Sequence, residues 1–465
     1  MAPGTISGDV CVRTTMTMFG RRVVVIGAGV AGLAAARRLR LAGAEVTVLE
    51  RASAPGGRVQ TRLVEGCRVE LGAEFLADFY TRTFELVREL GLAGELRRIP
   101  RSAATLRAGR LYPLWPNLAA ALTPLVGPRH KVALSYLVGA LARHRSRLDT
   151  HAFHKAYTLD DVSVAEYARA HLSEEVLEYV LQPPLSGIFY WTPERTSRAL
   201  LFLALRAGLS RPAGMRLYTL REGLGQLAAA LATGHDLRLG AEVETVMPGP
   251  GAGYTINGRA GNASFTLAAD AVVIATTASA VPRLLPWLDD RRRAFFSAVT
   301  YSMTTLLAVV VHGHFPRVTY GAFFPRRETP FLAAATLPTV KDPRFAPPDR
   351  DVICLRLSGR AAAALRECAD DTLACLMLAE LRRLAPDFDP AARRVFQRLY
   401  RCAEALPEFN VGHFHRLQAF ASGAIEQPAL AFAGDYLGGP FIEGAIVSGE
   451  RAAERLLDHF RGGHV

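Results

Sequence analysis

Three glycines and one acid near the N-terminus are spaced for phosphate chemistry. Gly27, Gly29 and Gly32 form a GxGxxG turn between an apolar run, Arg22 to Ile26, and a helical pattern, Val30 to Leu41. Gly27 permits the tight turn, Gly29 lets the backbone approach a pyrophosphate, and Gly32 lets helix and strand pack closely. The helix that follows aims its partially positive end at the phosphates. Glu50 stands eighteen residues beyond Gly32, at the end of a second apolar run, Glu45 to Leu49, where its carboxylate can accept from ribose hydroxyls. Strand, helix, strand and acid in register predict a βαβ unit that binds a dinucleotide. A nicotinamide dinucleotide would be satisfied at Glu50.

The sequence continues past it. "RASAPGGR" carries Arg51, Gly56, Gly57 and Arg58, and far downstream "AFAGDY" carries Gly434 and Asp435, followed by "IEGAIVSGERAA" with Gly444, Ala445 and Ile446. Together these resemble the flavin amine oxidase, protoporphyrinogen oxidase and phytoene desaturase superfamily of FAD-dependent oxidoreductases. The resemblance implies that the paired glycines bring backbone amides to FAD and that the basic side chain helps to fix it. It further implies that the Gly-Asp pair meets the ribityl and phosphate region, and that the next helix aims its N-terminus at the N1 and C2 edge of the isoalloxazine. Hydride arriving at N5 places negative charge on that side, which a fixed helix dipole stabilises. Val243, in "AEVETV", joins the expected cofactor contacts. "AGDYLGGP" contains no cysteine of the kind to which some amine oxidases attach flavin. Non-covalent FAD is the expected cofactor.

The elements that must position these groups are scattered. Strand-like "AEVETV" and "DAVVIATTA" are expected to return to a sheet, and "LREGLGQLAAALA" enters a helix. Helix-rich sequence is expected from Thr83 to Leu209, with strand-like "TTLLAVVV" and "DVICLRLSG" between 300 and 400. The fold expected is α/β: a Rossmann-type, glutathione-reductase-like FAD-binding domain with an inserted α+β substrate domain. The FAD domain would comprise residues 21–82, 218–290 and 425–465, the substrate domain residues 83–217 and 291–424, and residues 1–20 a leader or tail.

"VSVAEYARAHL", "PPLSGIFYWTPERTS", "MRLYTLREGLGQL" and "LPEFNVGHFHRL" resemble the protoporphyrinogen oxidase branch, whereas "FIEGAIVSG" leans towards carotenoid desaturases. The implied activity is hydride transfer from a C–H or C–N bond of a lipophilic small molecule to flavin N5. Two alternatives stand beside it: an amine or amino-acid oxidase, and an FAD-binding protein without net redox turnover. Amine oxidases of this family commonly place a lysine near N5. The corresponding stretch, Ala298 to Val311, has none, leaving Lys341 to fold back into the site. No catalytic side chain is assigned. His413 and His415 read as structural, Phe189, Tyr190 and Trp191 as cavity wall or core, and Arg195, Arg198 and Arg216 as surface charges or anchors for an acidic substrate. Glu443 reads as a first-turn helix acid and Ser448 as a packing residue.

Composition narrows the partners. Of 465 residues half are hydrophobic, and the net charge is +12, carried by arginine with lysine only at positions 131, 155 and 341. The arginines are scattered, with no aromatic-interleaved basic stripe, so no nucleic-acid partner is expected. No apolar run reaches the roughly 18 to 20 residues of a membrane-spanning helix. Six cysteines without a CxxC pair support neither a metal site nor a disulfide framework, and fit a cytoplasmic chain. Gly109 to Arg147 alternates apolar segments with basic breaks. Tyr112, Trp115, Arg143, Arg145 and Arg147 are the residue types an interfacial helix pair uses, so peripheral membrane contact is a further expectation.

Overall fold

The computed structural model describes residues 18–100, 103–114, 124–209, 215–249, 251, 253–423 and 427–462. The leader up to residue 17 and Trp115 lie outside them.

The glycine turn is built on a five-stranded parallel sheet, ordered Asp236–Leu239, Glu45–Glu50, Arg22–Ile26, Ala271–Ile274, Leu430–Phe432. Val25 pairs with Val48 on one side and Val273 on the other. Such a strand is covered on both faces and therefore reads as an unbroken apolar run, which is the pattern of Val23 to Ile26, all buried. Three stretches far apart in sequence thus meet in one sheet, and the C-terminal helix Ile442–Gly462 packs along the first helix, Val30–Leu41. Gly449 sets that approach: a β-carbon there would lie 2.0 Å from the Ala31 carbonyl oxygen.

"AEVETV" forms a strand as expected, in a sheet of its own. It does not rejoin the parallel sheet but opens a three-stranded antiparallel sheet, Ala241–Pro248, Tyr254–Ala260 and Ala263–Ala269. The reason is its alternation: Glu242 and Glu244 are exposed while Val243 and Val246 are buried, a half-solvated pattern that a parallel strand covered on both faces does not accommodate. The position beside Glu45–Glu50 is taken instead by Asp236–Leu239. "DAVVIATTA" returns to the parallel sheet as Ala271–Ile274.

A seven-stranded sheet stands over this layer. Its order is Arg394–Pro407, Tyr301–His312, Arg350–Leu357, Leu332–Thr336, Gly321–Phe323, Ala103–Arg107, Arg110–Pro113. The last two strands fall within the stretch expected to be helical. They form a hairpin turned at Ala108 and Gly109, both with positive φ, 48° and 74°. Helices Pro128–Arg143, Val164–His171 and Arg198–Gly208 supply the helical part expected there. None of the described helices is long and apolar enough to cross a membrane.

Candidate active site

The two layers enclose a cavity of about 1240 Å³ that runs from the glycine turn to the seven-stranded sheet. That exceeds the roughly 300–1,000 Å³ of common small-molecule sites and leaves room for a long ligand and a second molecule. At one end Ile26 leads into the turn. Gly32 is the residue that closes it, since a β-carbon there would stand 2.0 Å from the Gly27 carbonyl oxygen. The first helix starts without a side-chain cap or an acid in its first turn, so its amides keep their positive end open. Beside Gly29 there is open space where a β-carbon would sit, on the cavity side of the turn. Glu50 borders this space and is fixed by two backbone donors, Ala28 N at 2.8 Å and Ala52 N at 2.9 Å. A diphosphate joined to a ribose fits this cradle chemically: amides for the anion, a carboxylate for hydroxyls.

The second half of the motif closes over the first. Gly56 N donates to the Ala28 carbonyl at 2.8 Å, which stacks Gly56 and Gly57 against Gly29. Arg58 then reaches across to the C-terminal motif. Its guanidinium grips Asp435 two-pronged, Nη2 to Oδ1 at 3.0 Å and Nη1 to Oδ2 at 2.9 Å, and also donates to the Ala405 carbonyl. Burial alone would lower the Arg58 pKa, and the Asp435 charge raises it instead. Asp435 is buried. Arg58 and Asp435, 377 positions apart, therefore form one wall.

Most of the expected contacts converge here. Gly27, Gly29, Glu50, Arg51, Gly56, Gly57 and Arg58 line the cavity, as do Val243, Gly434, Asp435 and Ala445. Gly32, Gly444 and Ile446 do not. Gly444 packs its backbone against Gly438 and Gly439, and Ile446 is fully buried in the core. Ser448 does more than pack, because its hydroxyl accepts the Gly434 amide at 3.0 Å and so pins the Gly-Asp pair. Glu443 is a first-turn acid of its own helix and also caps another. Its carboxylate accepts from the Arg82 and Thr83 amides, at 2.9 and 2.8 Å, at the start of helix Thr81–Glu89.

Much of the remaining cavity wall is apolar. Leu134, Leu137 and Leu141 from helix Pro128–Arg143 face Leu200, Leu201 and Leu205 from helix Arg198–Gly208. Phe189 lines it, backed by Trp191 stacked at 4.5 Å, and Phe441 meets both Phe189 and Phe79 edge-on. The outer face of Pro128–Arg143 exposes Val132 and Tyr136 and ends at exposed Arg143, followed by exposed Arg145 and Arg147, while Tyr112 is half-buried.

The other singled-out residues stand apart. Arg195 pairs with Glu408 and Arg198 with Asp161, Arg216 is exposed, and none of the three is on the cavity wall. His413 is fully buried, with Nε2 3.3 Å from the Tyr436 carbonyl oxygen, and burial pushes its pKa down to about 3, which keeps it neutral. His415 packs against Tyr157.

One polar cluster was not foreseen. Glu74 sits on the cavity wall and is held by Lys341 Nζ at 2.7 Å, by Arg356 Nη2 at 2.5 Å and by the Tyr320 hydroxyl. Lys341 Nζ also donates to the Glu74 carbonyl at 2.6 Å. Lys341 does fold back towards the site, as a fully buried partner of Glu74 rather than as part of the wall. Burial alone would raise the Glu74 pKa, and Arg356 and Lys341 overcome it and hold the carboxyl at about 2. Two signals were available in sequence: an arginine inside the apolar strand "DVICLRL", and a second acid in "ELGAEF". A buried charge of this kind needs a partner.

Comparison with known proteins places the chain. The profile of the flavin-containing amine oxidoreductases matches residues 30–457. The coproporphyrinogen III oxidase of Mycobacterium tuberculosis (strain H37Rv) is 26% identical over 464 residues, covering 95% of this chain and 98% of that protein. Cyclohexylamine oxidase from Brevibacterium oxydans IH-35A has the same fold, with a TM-score of 0.73 at 18% identity over 95% of this chain and 99% of that one. So does a fatty acid isomerase from P. acnes, at 0.71 and 15% over 94% and 98%. The chain therefore belongs to the flavin-containing amine oxidoreductase family, and it is a flavin-dependent oxidoreductase that oxidises a C–N or C–H bond of its substrate.

Proposed function

We propose that the chain binds FAD without a covalent link and dehydrogenates a lipophilic small molecule, in the manner of protoporphyrinogen oxidases or desaturases. The observation that carries this reading is the Arg58–Asp435 pair, which joins the two ends of the chain on the wall of the cavity that the glycine cradle and the leucine-bearing helices also line. Glu50 would hold the ribose, the turn at Gly27 to Gly29 the pyrophosphate, and Val243 and Arg51 the adenosine end. When bound, the flavin supplies the two-electron acceptor for hydride. The chain's own part is to exclude water with Phe189, Phe441 and the leucine-lined helices, and to orient the substrate. Cys402 reaches the cavity wall, but burial raises its thiol pKa and keeps it a poor nucleophile, which favours a free flavin. Residues 21–82, 218–290 and 425–465 would form a Rossmann-type, glutathione-reductase-like FAD domain, with residues 83–217 and 291–424 forming the substrate domain.

A protein from P. acnes with this fold is a fatty acid isomerase, so net oxidation is the property to test. Anaerobic addition of porphyrinogens, polyenes, amines and amino acids in turn should identify a compound that bleaches the flavin absorbance, and that compound should be predominantly apolar. A small hydrophilic amine as the best reductant would overturn the lipophilic reading, and substrate conversion without bleaching would overturn dehydrogenation.

A further inference from the structure

The polar cluster borders the same cavity as the leucine-bearing helices, and its hydrogen-bond directions can be worked out from chemistry alone. Glu74 is ionised and can only accept; Arg356, Lys341 and Tyr320 donate to it. Lysine and arginine have no acceptor atom. The Tyr320 proton is therefore committed to Glu74. Arg356 is further held by the Glu70 carbonyl at 3.1 Å and the Thr336 hydroxyl at 3.4 Å. Tyr190 differs from Tyr320. It lines the cavity together with Arg356, and a guanidinium can only donate to a phenol oxygen, so Arg356 does not take up the phenolic proton.

The backbone at Tyr190 points the same way. Its φ is +61°, a left-handed conformation that costs a bulky residue energy and persists only where the surroundings enforce it. Here Gly359 presses against the Tyr190 carbonyl, where a β-carbon would come within 2.2 Å, and the neighbouring Phe189 and Trp191 rings are stacked. The charge balance adds to the donor character. Two cations, Lys341 and Arg356, are set against the single carboxylate of Glu74, while the Glu70 carboxylate is turned to the Leu224 amide and the Thr61 hydroxyl.

We propose that the Tyr190 hydroxyl, backed by Arg356, is the specificity-determining anchor for an anionic hydrogen-bond acceptor on the substrate, a carboxylate, while the leucine-lined walls take its hydrocarbon body. The inference rests on the reading of the chamber as the site of a lipophilic substrate.

Laurate and 1-dodecanol share a chain and differ in the polar end, so they isolate the anchor. Calorimetric titration of the holoprotein should give roughly ten- to a hundredfold tighter binding of laurate, the range of one charge-assisted hydrogen bond. Tyr190→Phe keeps the ring and should abolish that preference while leaving dodecanol binding and the thermal unfolding midpoint unchanged. Tyr320→Phe should keep the preference, because that hydroxyl serves Glu74. Absence of laurate binding, equal binding of the two probes, or a preference intact in Tyr190→Phe would each overturn the proposal. So would its loss in both variants, which would assign the effect to the cluster as a whole. Flavin content measured on the same samples separates the two readings: a colourless protein that prefers laurate contradicts the cofactor assignment and leaves the anchor standing.

Discussion

Replacing Glu74 by alanine should cost the fold about 3–5 kcal/mol, because it strands two buried cations at once. Lys341 has no exposed side-chain surface and Arg356 only 3%, so neither can recover its lost partner from water without rearrangement. Lys341 would keep the backbone carbonyl of residue 74, and Arg356 that of Glu70, but no carboxylate. A urea titration of the holoprotein followed by circular dichroism reads the loss, and a change below about 1 kcal/mol would show that the cluster contributes no such stability. The pH dependence has a definite sign. The folded Glu74 carboxyl lies at about 2, below the ordinary 4.5, so its contribution is fully present above about pH 4.5 and is lost as pH falls towards 2. Wild type should lose stability across that window more steeply than Glu74→Ala.

Asp435→Ala should lower flavin retention roughly ten- to a hundredfold, through loss of a charge-assisted, two-pronged contact worth about 1.5–3 kcal/mol. The effect has two sources. The variant removes a buried carboxylate from the cavity wall, and it releases the Arg58 guanidinium from the position that ties "GGR" to the C-terminal motif. Since both residues act through one pair, the double variant Arg58→Ala/Asp435→Ala should lose little more than either single change, whereas independent contacts would add. Repeated dilution and ultrafiltration, with flavin absorbance measured against protein, distinguishes the two patterns. Wild-type retention in Asp435→Ala would remove the pair from the site.

The cradle was legible because its geometry is local. Gly27, Gly29, Gly32 and Glu50 act across one βαβ unit, where strand and helix periods fix their relative positions. The meeting of Arg58 with Asp435 was not legible: the resemblance assigned each to FAD separately, and nothing in spacing alone brings residues 377 positions apart together. Val243 lines the cavity from a strand of the antiparallel sheet; the alternation of exposed Glu242 and Glu244 with buried neighbours was the signal that distinguishes the two sheets. The hairpin at Ala103–Pro113 stayed hidden because its strands are short and its turn, Ala108–Gly109, lacks an Asn-Gly signature. The Glu74 cluster is a tertiary property: its members come from residues 74, 320, 341 and 356, and a sequence pattern can flag a buried arginine without naming its partner.

The central claim is that both ends of the chain hold one non-covalent FAD. Acid precipitation of the purified yellow protein, with the supernatant separated by chromatography and the pellet weighed by mass spectrometry, tests it most directly. The account predicts about one intact FAD per chain in the supernatant and a pellet at the 50.4 kDa of the unmodified sequence. A nicotinamide dinucleotide or FMN in the supernatant, or flavin mass retained on the chain, would contradict it.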